Sequence, residues 1–110
     1  MTNTESIKRF FHSVDKKDIT SFASFITEDV SFKLGNADAV KGKSAVSNMM
    51  QQFFDSINSL THKIDNVWFQ DNAVICNGQV TYTRHDSSQL TVPFSNILKI
   101  DNDLIYDYQI

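Results

Sequence analysis

The 110 residues predict one α+β domain: three N-terminal helices packed on a curved, mostly antiparallel sheet. Three observations predict it. Apolar residues repeat at helical spacing in the first part of the chain, interrupted by one short alternating run. From residue 60 onward the period changes to two and stays there. Short polar turn clusters, and no βαβ repeat, separate the later runs, so the helices segregate from a meandering sheet. The length suits a single domain over 1–110.

Ile7, Phe10, Phe11 and Val14 form one helical stripe over residues 4–16, with Thr4 as N-cap and Lys16 and Lys17 in the last turn. Asp18 caps a second helix whose apolar set is Ile19, Phe22, Ala23 and Ile26, ending at Thr27-Glu28-Asp29. Val30–Leu34 alternates as a half-buried strand and is followed by the turn cluster Gly35–Asp38. Ser44 caps a third helix with the stripe Val46, Met49, Met50, Phe53, Phe54 and Ile57. Four strands follow, over Leu60–Phe69, Ala73–Arg84, Gln89–Ile100 and Leu104–Ile110. Their turns fall at Asp71-Asn72, His85–Ser88 and Asp101–Asp103. Pro93 inside the third of these marks an edge, a bulge or an unbonded position.

Composition narrows the function. The net charge is −3 and the ten Lys and Arg are scattered, so no basic face for nucleic acid is expected. No apolar run approaches the roughly 18 residues of a membrane span. The N-terminal stretch has no signal-peptide core, which makes the cytoplasm the default expectation. Cys76 is the only cysteine and reads as a buried, inert thiol. His12, His62 and His85 share no ligand spacing, so no metal site is expected. With three glycines and no phosphate-cradling loop, no cofactor is expected either. Nine Phe against three Tyr and one Trp point to a dense core or an apolar cavity.

The order of elements resembles the superfamily of nuclear transport factor 2, ketosteroid isomerase, scytalone dehydratase, limonene epoxide hydrolase and the SnoaL-like polyketide cyclases. The residues that carry the resemblance run from Arg9-Phe10-Phe11 through Asp18–Phe22 and Phe25–Phe32, with Lys17 in place of the usual Gly before Asp18. Val40–Ala45 looks like the start of the family's third helix. Val80–Arg84, Val92-Pro93-Phe94 and Leu104–Tyr108 look like the SnoaL-like sheet. The resemblance implies a cystatin-like α+β roll, a cone with an internal pocket, and a homodimer through the outer sheet face.

It also permits a test of chemistry. Ketosteroid isomerase needs a carboxylate base and an oxyanion hole made of a Tyr and a protonated Asp. Laid on this chain, those groups fall on Leu34, Phe10 and Ser95, so the isomerase set is missing. The epoxide hydrolase's Asp–Arg–Asp set finds an echo in Arg84 and Asp86, but its last-strand Asp falls near Ile110, and Arg84 reads as a pocket-mouth or surface charge. SnoaL-like chemistry would use a carboxylate or His, and His62 is the candidate base, on one strand face with Ile64, Asn66 and Trp68. The comparison favours Tyr106 and Tyr108 inward over Asp107. The expected ligand-binding set is Phe10, Val14, Leu34, Trp68, Tyr82, Arg84, Ser95 and Tyr108. The expected function is a SnoaL-like pocket protein for a small apolar molecule. The alternatives are a non-catalytic homodimeric interaction domain and a cyclase, isomerase or hydrolase using His62.

Overall fold

The computed structural model describes residues 3–110. The elements are α1 (Thr4–Asp15), α2 (Ile19–Ala23), β1 (Ile26–Lys33), β2 (Val40–Lys41), α3 (Lys43–Ser56), β3 (Ser59–Gln70), β4 (Ala73–Thr83), β5 (Gln89–Asp101) and β6 (Leu104–Gln109). They form an α+β fold of three helices on one six-stranded mixed sheet, with strand order β2-β1-β6-β5-β4-β3. Only two helices precede the first strand. The third follows β2, a two-residue strand that pairs with β1 through Ser31–Lys41 and Phe32–Val40 and was not anticipated. Every strand pair is antiparallel except β1 with β6, which sets the first strand beside the last in parallel.

Local chemistry explains the shifted boundaries. Asn3, not Thr4, caps α1, because its Oδ1 accepts the Ser6 N–H at 2.9 Å. Asp18 caps α2 as expected, accepting the Ser21 N–H at 3.1 Å. The helix stops at Ala23, however, and Ile26 opens β1 instead of closing the helical stripe. The N-cap of α3 is Gly42, with φ +95, and not Ser44; no side chain caps this helix. Lys17 lies beyond α1 with φ +55, in the left-handed region that favours Gly. Its Nζ donates to the Ile57 and Asn58 carbonyls at 3.0 and 3.2 Å, so it serves the C-terminal end of α3 rather than that of α1.

The helices cover one face of the sheet. Phe10, Phe22, Phe54, Ile7 and Val46 from the helices are fully buried against Ile26, Val30, Leu98 and Ile105. In β4 and β5 the alternation is clean: Val74, Cys76 and Val80, with Phe94, Asn96 and Leu98, face inward. Pro93 pairs with Gln79 of β4, and β6 joins β5 only from Ile97 onward, so proline sits where the second edge is open. No described helix is long and apolar enough to cross a membrane.

The register shifts between Ile26 and Ser31 where β1 meets β6, and at two places in the antiparallel pairs. In β3, Ile64 pairs with Gly78 and Asn66 with Asn77, leaving Asp65 as an extra residue. Gly78 is required there, because a Cβ would lie 1.9 Å from the Lys63 carbonyl oxygen. The extra residue reverses the faces beyond it. Trp68 therefore pairs with Ile75 on the outer face and is 50% exposed, instead of sharing the His62 face. In β6 the register shifts opposite Lys99 and Ile100, so that Ile105 and Tyr108 are both buried.

Candidate functional site

An apolar cavity of about 180 Å³ lies between the helices and the inner sheet face. Phe32 of β1, Leu60 and His62 of β3, Tyr82 of β4 and Tyr108 of β6 supply the sheet wall. Val14 of α1 and Met49, Met50 and Phe53 of α3 supply the helical wall. Leu34, Phe53 and Ile110 are exposed and form an apolar rim. His62 is the sole Asp, Glu, His, Lys or Arg in the lining.

His62 is held from behind by Asp15, the last residue of α1. Asp15 Oδ1 lies 2.6 Å from His62 Nδ1, and Asp15 Oδ2 accepts the His62 backbone N–H at 2.9 Å. The carboxylate can only accept, so in the neutral ring the proton sits on Nδ1 and Nε2 carries a lone pair. The ring is fixed laterally by Phe11 and Phe94, with centroids 4.9 and 5.1 Å away. Nε2 makes no hydrogen bond among the described residues.

The two cavity tyrosines complete the polar equipment. Tyr108 packs edge-on against Phe32 at 5.0 Å and Phe10 at 5.5 Å. Burial, with smaller effects from Cys76, Tyr82 and Asp15, raises the pKa of its phenol, and burial does the same for Tyr82. Both hydroxyls stay protonated donors over the ordinary pH range. Neither makes a hydrogen bond among the described residues, where the sealed polar atoms without a partner are Ser47 Oγ and Asn96 Oδ1. The site thus holds one imidazole acceptor and two phenolic hydroxyls within apolar walls.

Of the residues expected to bind a ligand, Val14, Leu34, Tyr82 and Tyr108 line this cavity, together with His62. Four do not. Phe10 is fully buried behind Tyr108. Trp68 is on the outer face because of the Asp65 bulge. Ser95 is exposed on the outer face, one position out of step with Phe94 and Asn96, which point inward. Arg84 belongs to the β4–β5 turn, donating from Nη1 to Ser88 Oγ at 3.2 Å. Its neighbour Asp86 accepts from the Ser88 hydroxyl and N–H, which hold its carboxyl below the usual range. Tyr106 faces away from the cavity, its hydroxyl accepting from Asn72 Nδ2 at 2.8 Å. His12 is exposed, and His85 Nε2 lies 3.0 Å from the Asp55 carbonyl oxygen. Asp15 was missed because no local pattern marks a partner 47 residues from His62. Met49 and Phe53 were visible only as part of a helical stripe.

The family of SnoaL-like domains matches residues 7–108. None of the curated proteins matches this chain. Among solved structures, an NTF2-like protein of unknown function from Burkholderia pseudomallei superposes with a TM-score of 0.87 at 11% identity, covering 99% of this chain and 88% of its own. A protein with a ketosteroid isomerase-like fold from Catenulispora acidiphila, in complex with trimethylamine, gives 0.87 at 12% identity, with coverage of 98% and 85%. An LEH-like epoxide hydrolase from M. tuberculosis gives 0.84 at 10% identity, with coverage of 96% and 77%. At these identities the likeness is one of fold, and fold alone assigns no activity.

Proposed function

The chain belongs to the SnoaL-like domain family, and from that premise we propose that its cavity, the interior of a cone, takes up a small apolar molecule on which His62 acts as a general base. The observation that carries this reading is the two-point hold of Asp15 on His62. A carboxylate on Nδ1 fixes the tautomer, turns the lone pair of Nε2 outward from the pair, and stabilises the imidazolium that forms when Nε2 takes a proton. Tyr108 and Tyr82 supply neutral donors for the negative charge that remains on the molecule. The step balances: one proton passes from an acidic C–H or O–H of the ligand to Nε2, and its electron pair stays on the ligand as an enolate or phenolate. Return of the proton to a different atom completes an isomerisation and regenerates the base.

The test is exchange of the acidic C–H of a one-ring enolisable ketone into deuterated water, followed by proton NMR. Saturable exchange above the buffer rate is expected, falling by roughly 10²-fold or more in His62→Ala. Equal exchange by the wild type and the variant would remove His62 as the base. Tyr108→Phe, which keeps the packing ring, should lower the rate with little effect on folding.

A second reading concerns the outer sheet face. Trp68 and Ile97 are 50% and 38% exposed there, on either side of Ile75. A second copy of the chain covering these residues is consistent with such exposed apolar area. Sedimentation at micromolar concentration checks it, with Trp68→Lys converting a dimer to a monomer; a wild-type monomer would reject it.

A further inference from the structure

Resting on that reading of the cavity, we infer that its ligand is an uncharged, single-ring compound bearing a hydroxyl group, and that this hydroxyl donates to His62 Nε2. Size comes first. Ligand pockets commonly span about 300–1,000 Å³, whereas an apolar cavity of about 150 Å³ holds one benzene. At about 180 Å³ this cavity has room for one ring with small substituents.

Charge comes second. No Lys, Arg, Asp or Glu lines the cavity. A carboxylate or phosphate would lose its water and meet no cation. An ammonium would find Asp15 already engaged on both oxygens by His62. The rim side chains, Leu34, Phe53 and Ile110, are apolar.

Polarity decides the functional group. Nε2 is an acceptor in the tautomer that Asp15 imposes, so a ligand must bring a hydrogen to it. An ether of the same shape leaves that acceptor dry and unpaired, which weakens binding by roughly ten- to a hundred-fold. The tyrosine hydroxyls do not select in this way, since each can donate or accept. Discrimination therefore rests on His62 and, through the tautomer, on Asp15.

The experiment titrates the 110-residue chain with phenol, anisole, benzoate and benzyltrimethylammonium in mildly alkaline buffer, following the His62 ring and the cavity methyl groups by NMR. Phenol is expected to bind at least about ten-fold more tightly than anisole, with neither ion reaching comparable affinity. Asp15→Asn supplies the opposite arm. An amide N–H facing Nδ1 makes that atom the acceptor and moves the ring proton to Nε2, so the variant should lose the preference for phenol or invert it. Equal affinity for phenol and anisole would overturn the inference while leaving the cavity as a ligand site. Tighter binding of either ion would also overturn it, as would an unchanged preference in Asp15→Asn. Failure of every ring compound to perturb the cavity would reject the underlying reading as well.

Discussion

Asp15 and His62 are joined twice: Oδ1 lies 2.6 Å from the ring Nδ1, and Oδ2 accepts the backbone N–H at 2.9 Å. One carboxylate therefore orients the imidazole and also fastens the end of α1 to the start of β3. The two jobs separate under substitution.

Asp15→Ala removes both acceptors and leaves a partly buried N–H and a ring nitrogen unpaired. Each such loss costs about 1–3 kcal/mol, so a destabilisation of roughly 2–6 kcal/mol is expected. His62→Ala keeps the backbone bond to Asp15 but removes the ring packed between Phe11 and Phe94. Urea unfolding measures both, as a fall in midpoint at unchanged slope. A loss below about 1 kcal/mol in Asp15→Ala would show that this pair does not fasten α1 to β3.

The overall architecture was legible because amphipathic period is a local property. The stripe of α3 and the alternation of β4 and β5 specify which faces are buried. The site was less legible because it depends on parity between distant strands. Counting by twos from His62 places Trp68 on the same face, and one extra residue at Asp65 reverses that result. The signal was present in Gly78, an isolated glycine in a strand, which marks a bulge or a close backbone approach. Ser95 failed for a related reason: aligning a proline with Pro93 fixes a position but not which neighbour points inward, and here Phe94 and Asn96 do. The pairing of Asp15 with His62 left no local trace, since only the packing of α1 against β3 brings them together.

Lys17 offers a test of backbone strain against side-chain capping. Its φ of +55 is a conformation that costs a non-glycine residue about 1–2 kcal/mol. Its Nζ recovers some of that by donating to the Ile57 and Asn58 carbonyls. Lys17→Ala keeps the strain and loses the cap, and should destabilise by about 1–2 kcal/mol, several degrees of melting temperature for a domain of this size. Lys17→Gly loses the cap but relieves the strain, and should fall within about 0.5 kcal/mol of the wild type. A glycine variant as unstable as the alanine variant would mean that the strain is absent.

Cys76 sets an alkaline limit on stability. It lies on the inner face of β4, fully buried, and burial pushes its thiol up from 9.0 to about 11, partly offset by a hydrogen bond from the Asn96 backbone. In the unfolded chain the thiol ionises near its ordinary value; in the native chain it holds its proton for about two further pH units. Between those values the unfolded state binds fewer protons than the native state, so stability falls as pH rises. The contribution is fully present below about pH 9 and lost through about pH 11, amounting to on the order of 2–3 kcal/mol. Tyr82 and Tyr108, raised in the same direction, add to the loss at higher pH. Cys76→Ala should therefore show a shallower decline than the wild type between pH 9 and 11 when both are unfolded by urea. Thiol labelling checks the same burial from the other side. Near neutrality the native chain should react with a disulfide reagent only as fast as it opens, and labelling at the rate of a free thiol would place Cys76 outside the core.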